Sequence, residues 1–342
     1  MFSVGIGCRI GRPVRLSIPV RPCGPARKLV KGVPPSVRKS MSKAFGFVAY
    51  GGPENQEFLD RPIPSPGPGQ LLIAVRAAGV NPVDWKIRQG YLGTGRPLPA
   101  VLGCEVSGVV EVVGQGVEGF SAGDEVFGPT VAGGYAEHTL LDAATCAHKR
   151  PDVSFTQAAT LPVAAATAYD AVQQLDLGSG RTLLILGIAG GVGTAAAQLA
   201  KGHGLTVLGT AGDGNQAYVE SLGATRIRYG AGVADRIRAV APDGVDGLLD
   251  LVGGDDLRAA AVTLNDPAKL VSTVDPATAA ELGGAFVRRS GGADTLEALA
   301  KLVAFDALDP HIAATYPLEH AAHALSEVES GHVRGKLVLD LG

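Results

Sequence analysis

At 342 residues, with 46% hydrophobic and 18% charged side chains, the chain is long enough for two domains and apolar enough to bury a core in each. No run of 18 or more uncharged apolar residues occurs, which argues against a membrane-spanning helix; the four cysteines (Cys8, Cys23, Cys104, Cys146) lack paired spacing, which argues against a disulfide framework and for the reducing cytoplasm. The net charge of −3 hides an asymmetry, because residues 1–40 carry nine Arg or Lys, six prolines and no acidic side chain, leaving a formal −12 on the remainder.

Residues 1–40 show no helical or strand period, and the sequence predicts disorder there. A transit peptide would share this basic, acid-free composition, but six prolines spoil its amphipathic helix; a nucleic-acid-binding arm would rest on charge alone. We expect an extension of little function ahead of a fold that opens at Met41, and no nucleic-acid partner. From 41 to about 160 the text is short β-type runs separated by Gly, Pro and Asp turns: AFGFVAY, QLLIAVRAAGV, VSGVVEVVG, EVFGPT and YAEHTLL. Such spacing predicts a β-rich domain or barrel. A helical patch follows, FTQAATLPVAAATAYDAVQQL.

From 182 to about 275 the rhythm becomes alternating β and α. Strands are LLILG, TVLGT, TRIRY, GLLDLV and KLVSTV, with helices beginning near Gly191, Asn215, Val233 and Asp255. That alternation predicts a doubly wound parallel sheet. The end of the chain reads as a helix (LEALAKLVAF), a second helix and a closing strand (GKLVLDLG).

The most informative stretch is 182–193, TLLILGIAGGVG, followed at once by the helix-forming TAAAQLAKGHG. An apolar strand runs into Gly187, Ala189, Gly190, Gly191, Val192 and Gly193, and a helix starts there. Free N–H groups and the helix dipole attract anionic charge, and glycines let the backbone approach a pyrophosphate closely. Strand and helix flank the turn in the order a dinucleotide site requires.

The chain resembles the zinc-free quinone oxidoreductase branch of the medium-chain dehydrogenase/reductase superfamily. The resemblance is carried, in order, by AAGVNPVDWKIRQGY (77–91), VLGCEVSGVVEVVGQGVEGFSAGDEVFG (101–128), GGYAEH (133–138), LPVAAATAYDAV (161–172), LLILGIAGGVGTAAAQLAK (183–201) and GHVRGKLVL (331–339). It implies an α/β protein with a GroES-like β-barrel catalytic domain, residues 41–163 and 299–342, and an inserted Rossmann domain, residues 164–298. It also implies a homodimer joined through the nucleotide-binding domains.

Zinc alcohol dehydrogenases of the superfamily use a Cys, a His and a Cys where this chain has Asn81, Cys104 and Val163. One thiol with Asn and Val does not make a three-ligand site, so no metal is expected, and Cys104 reads as a small core residue. His320 and His323 lack a third ligand and read as a solvated helix face. Without a Lewis acid to polarise an alcohol, the substrate should be electrophilic already, as a quinone or an enone is.

Cofactor choice is read at the end of the second Rossmann strand, Leu208 to Gly212, where no Asp or Glu stands to grip the ribose hydroxyls. Thr210 and Gly212 leave room for a 2′-phosphate, so NADPH is expected, with NADH as the alternative. The resemblance adds Tyr229 as a phosphate contact, and it places Gln216 where relatives often carry Lys. Asp213 has the wrong charge for a phosphate; Arg226 or Arg228 could compensate.

For the active site, the resemblance points to Asn81, whose amide can donate to an acceptor oxygen, with Asp84 holding the loop and Tyr91 donating a proton or shaping the pocket. Thr167 is matched to the Thr of the helix that meets the cofactor, Val252 to the loop beside the adenosine, Thr273 to the strand end near the nicotinamide, and Lys336 to a cofactor-facing turn. The alternatives left open are a non-catalytic NADPH-binding protein and a zinc alcohol dehydrogenase.

Overall fold

The computed structural model describes residues 41–342; the basic extension expected at 1–40 lies outside them. Eight strands come first: β1 (Met41–Phe47), β2 (Gln56–Pro62), β3 (Gln70–Val80), β4 (Ala100–Val101), β5 (Glu105–Val113), β6 (Glu125–Pro129), β7 (His138–Asp142) and β8 (Ala147–His148). Six more alternate with helices: β9 (Thr182–Leu186), β10 (Thr206–Thr210), β11 (Thr225–Ile227), β12 (Gly247–Asp250), β13 (Leu270–Ser272) and β14 (Ala285–Phe286). Two close the chain, β15 (Ile312–Pro317) and β16 (Lys336–Asp340). The helices used below are α1 (Pro82–Gln89), α2 (Ala166–Leu175), α3 (Gly191–Gly202), α4 (Ala293–Ala304) and α5 (Ala321–Glu329).

The β-rich part is built from both ends of the described chain. Its larger sheet runs β15-β16-β3-β5-β6-β8, with β7 also on β3, and a smaller sheet runs β2-β1-β4. Strand β3 is buried along most of its length because both edges are paired. One edge takes β5; the other takes β7 at Gln70–Ala74 and β16 at Ala77–Val80. The expected barrel therefore resolves into two sheets, joined by backbone bonds such as Phe45 N to Tyr135 O at 2.7 Å.

The other sheet runs β11-β10-β9-β12-β13-β14, and every pairing in it is parallel. Its central strand is buried on both faces, so it reads as a continuous apolar run, Leu183 to Leu186. The chain leaves β9 toward β10 and returns on the far side as β12. This reversal opens a crevice beyond the carboxyl end of β9, where ligands of such sheets bind.

A shared core links the two sheets. Phe127 and Ala147 of the β-rich part pack in one apolar cluster with Leu161, Ala168 and Val172 and with Leu183, Ile185 and Leu299 of the parallel part. The patch predicted as one helix is broken: a short turn at Phe155–Ala158 and a π-helical turn at Leu161–Ala165 precede α2. Pro162 lacks an N–H, which disfavours a regular α-helical start there. Strands β2, β14 and β15 were not legible, since their burial is partial, alternating or absent.

Candidate active site

A cavity of about 750 Å³ lies between the parallel sheet and the β-rich part. That volume is within the range of small-molecule and cofactor pockets. One wall is the turn after β9: Gly187, Ala189, Gly190, Gly191, Val192 and Gly193. The ends of neighbouring strands extend it through Thr210, Gly212, Tyr229, Val252 and Thr273. The opposite wall comes from Asn81, Pro82 and residues 331–337, including Arg334 and Lys336.

The turn is held from beneath. Gly187 has φ of 78°, and its N–H donates to Thr210 Oγ1 at 3.0 Å. Helix α3 starts at Gly191 behind Gly190, and no side chain caps its first amides. The glycines differ in kind. A Cβ on Gly193 would stand 2.6 Å from Gly187 O and from Ile188 backbone atoms, whereas one on Gly190 meets nothing closer than 3.7 Å. Asp250, fully buried, fixes the Val252 loop: Oδ1 accepts from Val252 N (3.0 Å) and Gly253 N (2.8 Å), and Oδ2 from Ser272 Oγ (2.6 Å).

The far wall rests on a buried polar cluster. Lys336, 4% exposed, donates from Nζ to Glu105 Oε1 (2.9 Å), Asn81 Oδ1 (2.5 Å) and Val80 O (3.1 Å). Asn81 Nδ2 donates to Glu105 Oε1 at 2.8 Å, and Val163 N donates to Glu105 Oε2 at 2.7 Å. Glu105 is fully buried. The Asn81 amide is therefore engaged inside the protein at both ends, its Nδ2 reaching Gly79 O as well at 3.4 Å. Asn81 also starts α1, and its N–H donates to Asp84 Oδ2 at 2.9 Å.

Asp84 sits behind the cleft. Its Oδ2 also accepts from Tyr135 Oη at 2.7 Å, and the Cys104 thiol lies against the same carboxylate. Burial pushes its carboxyl up to about 6, against the lowering effect of the Tyr135 and Asn81 bonds. Burial also pushes the Cys104 thiol and the Tyr135 hydroxyl up, with the Asp84 charge adding to both.

Four expected site residues lie outside the cavity lining: Asp84, Tyr91, Thr167 and Gln216. Tyr91 is 69% exposed and stacks edge-on against Trp85 at 5.9 Å between ring centres. The Thr167 hydroxyl donates to Val163 O at 2.5 Å. Gln216 bonds Glu220 and Arg226. Arg226 and Arg228 do not reach the cleft either, because both face Asp213, at 3.1 and 3.8 Å. The cationic side chain at that end is one the sequence reading missed, Arg334. It donates to Asn215 Oδ1 (2.6 Å) and Gly214 O (2.7 Å), bridging the two walls. Its place two residues before Lys336 was the available signal.

Residues 67–152 match the family model for the alcohol dehydrogenase GroES-like domain, and residues 222–339 the model for zinc-binding dehydrogenase. Over 320 residues the chain is 34% identical to an NADPH-dependent alkenal/one oxidoreductase, chloroplastic, of Arabidopsis thaliana, covering 89% of this chain and 80% of that one. The solved structure of the quinone oxidoreductase from Coxiella burnetii is 33% identical and superposes with a TM-score of 0.81, covering 88% of this chain and 100% of that one. The chain belongs to the quinone oxidoreductase branch of the medium-chain dehydrogenase/reductase superfamily. A mycobacterial protein solved in complex with NADPH is 29% identical, with a TM-score of 0.77 over 88% of this chain and 100% of that one.

Among the described residues, no group of three or more His, Cys, Asp or Glu is placed to hold a metal ion. At Asn81, where zinc members carry a ligand, the nearest cationic group is the Lys336 ammonium.

Proposed function

We propose that the cleft binds NADPH and that the chain reduces a quinone or an α,β-unsaturated carbonyl by hydride transfer, without zinc. The observation that carries this reading is the uncapped glycine turn opening into the cavity at the sheet's switch point. The residues present fit the cofactor. Gly190 lines the cavity with open space where a side chain would stand, which suits a pyrophosphate against the first amides of α3. Gly212, Tyr229 and Arg334 lie together at one end, and with no acidic residue on the end of β10 they favour a 2′-phosphate over a bare ribose.

When bound, the reduced nicotinamide supplies the hydride. The protein's work is to bind, orient and exclude water. Thr210 and Asp250 hold the two loops against which the dinucleotide lies. Thr273 and Val252 close the sides. Lys336 and Asn81 set the polar floor, held in place by the buried Lys336–Glu105 pair. Asn81 presents an amide already bonded to Lys336 and Glu105 where zinc members carry a ligand, and this supports a zinc-independent reaction.

Three finer readings belong to the proposal. The domain boundaries are 41–163 with 299–342, and 164–298; α4 crosses the second junction. The chain is a homodimer joined through β14, the edge strand of the parallel sheet, where Phe286 is exposed. The protein acts in the cytoplasm. Its free Cys104 and Cys146 suit a reducing compartment, and no described helix is long and apolar enough to cross a membrane.

The test is NADPH oxidation, followed at 340 nm, by the full chain dialysed against a chelator, over a panel of quinones and enones. Turnover with at least one acceptor, unchanged by chelation, is expected. Tight NADPH binding with no turnover on any acceptor would select the non-catalytic alternative, and turnover lost with the chelator would select a metal enzyme.

A further inference from the structure

Arg289 follows β14, away from the cavity lining, yet it is bonded into the structure that supports the cleft floor. Its guanidinium makes three bonds: Nε donates to Asp170 Oδ2 (3.0 Å), Nη1 to Thr167 Oγ1 (2.6 Å) and Nη2 to Pro162 O (3.0 Å). Ser290 N donates to the same Asp170 oxygen at 3.0 Å. All the acceptors lie on one stretch, the π-helical turn Leu161–Ala165 and the first turns of α2. A π-helical turn has poorer internal pairing than an α-helix, and it persists where outside contacts hold it. Arg289 supplies such contacts from three directions of one planar fork.

The connection continues inward without a gap. Thr167 Oγ1, which accepts from Arg289, donates to Val163 O at 2.5 Å. Val163 N donates to Glu105 Oε2 at 2.7 Å. Glu105 Oε1 accepts from Lys336 and Asn81, both of which line the cavity. Glu105 is fully buried, so its carboxylate takes the orientation its donors impose. If Val163 N moves, Oε2 loses that donor, and the carboxylate that aligns Lys336 and Asn81 turns with it.

We propose that Arg289 is a positioning residue for hydride transfer. It pins the π-helical turn so that Val163 N meets Glu105, and through Glu105 it fixes Lys336 and Asn81 in the cleft wall. The inference rests on the cleft being the hydride-transfer site. A lysine keeps the charge but offers one ammonium nitrogen on a flexible stem in place of three nitrogens fixed in a plane, so it should hold the turn less firmly.

The test compares the full-length chain with Arg289→Met, Arg289→Lys, Glu105→Gln and the Arg289→Met/Glu105→Gln double variant. In Arg289→Met, kcat for NADPH oxidation with a small para-quinone should fall about tenfold, because modest misplacement near reacting groups is costly, while KM for NADPH stays within about twofold. Arg289→Lys should lie between. The double variant should be no slower than Glu105→Gln by more than about twofold, because both substitutions act through one contact. A readout independent of turnover is amide hydrogen exchange in the unliganded protein. Exchange over residues 159–168 should quicken about tenfold in Arg289→Met while strands β9 to β13 keep their protection. If Arg289→Met does not fold, Thr167→Val cuts the same chain of bonds while sparing Arg289 to Asp170, with the same expectations. Unchanged kcat with unchanged exchange, or single effects that multiply in the double variant, would overturn the proposal. If the wild-type chain oxidises no NADPH with any acceptor, the functional reading fails instead, and the exchange measurement decides the linkage alone.

Discussion

The two walls of the cleft are made differently. The wall after β9 is backbone: a glycine turn, uncapped amides and strand ends, all within one continuous stretch and its parallel neighbours. The opposite wall is side chain: Lys336, Glu105 and Asn81, drawn from β16, β5 and the start of α1. A backbone wall offers fixed dipoles that cost no reorganisation, whatever the dinucleotide's base. A side-chain wall places a buried charge pair, which needs excellent geometry to offset its desolvation. Binding therefore rests mainly on the first wall and orientation of the acceptor on the second.

Substitutions can break this contrast. The largest expected effect is on the side-chain wall. Lys336→Met leaves the Glu105 carboxylate buried without its cation and should lower stability by about 3–5 kcal/mol in urea unfolding. Adding Glu105→Gln should restore part of that, since the amide carries no charge to desolvate and its oxygen still accepts a hydrogen bond, but should not restore turnover. Equal instability of the single and double variants would contradict the assignment.

On the backbone wall the effect should fall on binding. Gly190 has room for a side chain and an ordinary φ of −77°, so Gly190→Asp should fold with little change in melting temperature. Its carboxylate would meet the phosphates, and NADPH affinity should drop by about 100-fold, or ~2.7 kcal/mol. Normal affinity in calorimetry would place the pyrophosphate elsewhere.

A pH series sharpens the view of what lies behind the side-chain wall. Asp84 is held up to about 6 when folded, above the ordinary carboxylate range, so the folded state binds its proton more tightly than the unfolded state. Wild-type stability therefore loses a contribution as pH rises from about 4 to about 6, and levels above that. Asp84→Asn lacks this loss. Its stability relative to wild type should climb by on the order of 1–3 kcal/mol over that interval in urea titrations. A flat difference would mean that the carboxyl is not raised.

The smallest effect expected is at the bridge between the walls. Arg334→Met should reduce the preference for NADPH over NADH, as a ratio of kcat/KM, by about tenfold, close to one charge-assisted hydrogen bond. An unchanged ratio would move the 2′-phosphate away from Arg334.

The same contrast explains what was legible in the sequence. The glycine turn and the β/α rhythm are local patterns, so the parallel sheet and its cradle could be read from residues 182–275. The polar floor could not. Glu105 and Lys336 are 231 positions apart, and Arg289 and Thr167 are 122 apart. Lys336 is expected at a cofactor-facing turn, but only the pairing of β16 with β3 carries it beside Asn81. Tyr91 has the hydroxyl of a proton donor, but it follows Gly90, whose φ is 84°, and its ring is exposed. Gln216 stands where relatives often carry Lys, but its side chain is taken up by Arg226 and Glu220.

The most direct test of the central claim, that a backbone cradle holds a reduced dinucleotide in this cleft, is calorimetric titration of the full chain with NADPH and with NADH. The account predicts one equivalent bound per chain, with NADPH the tighter. No heat with either nucleotide would contradict it.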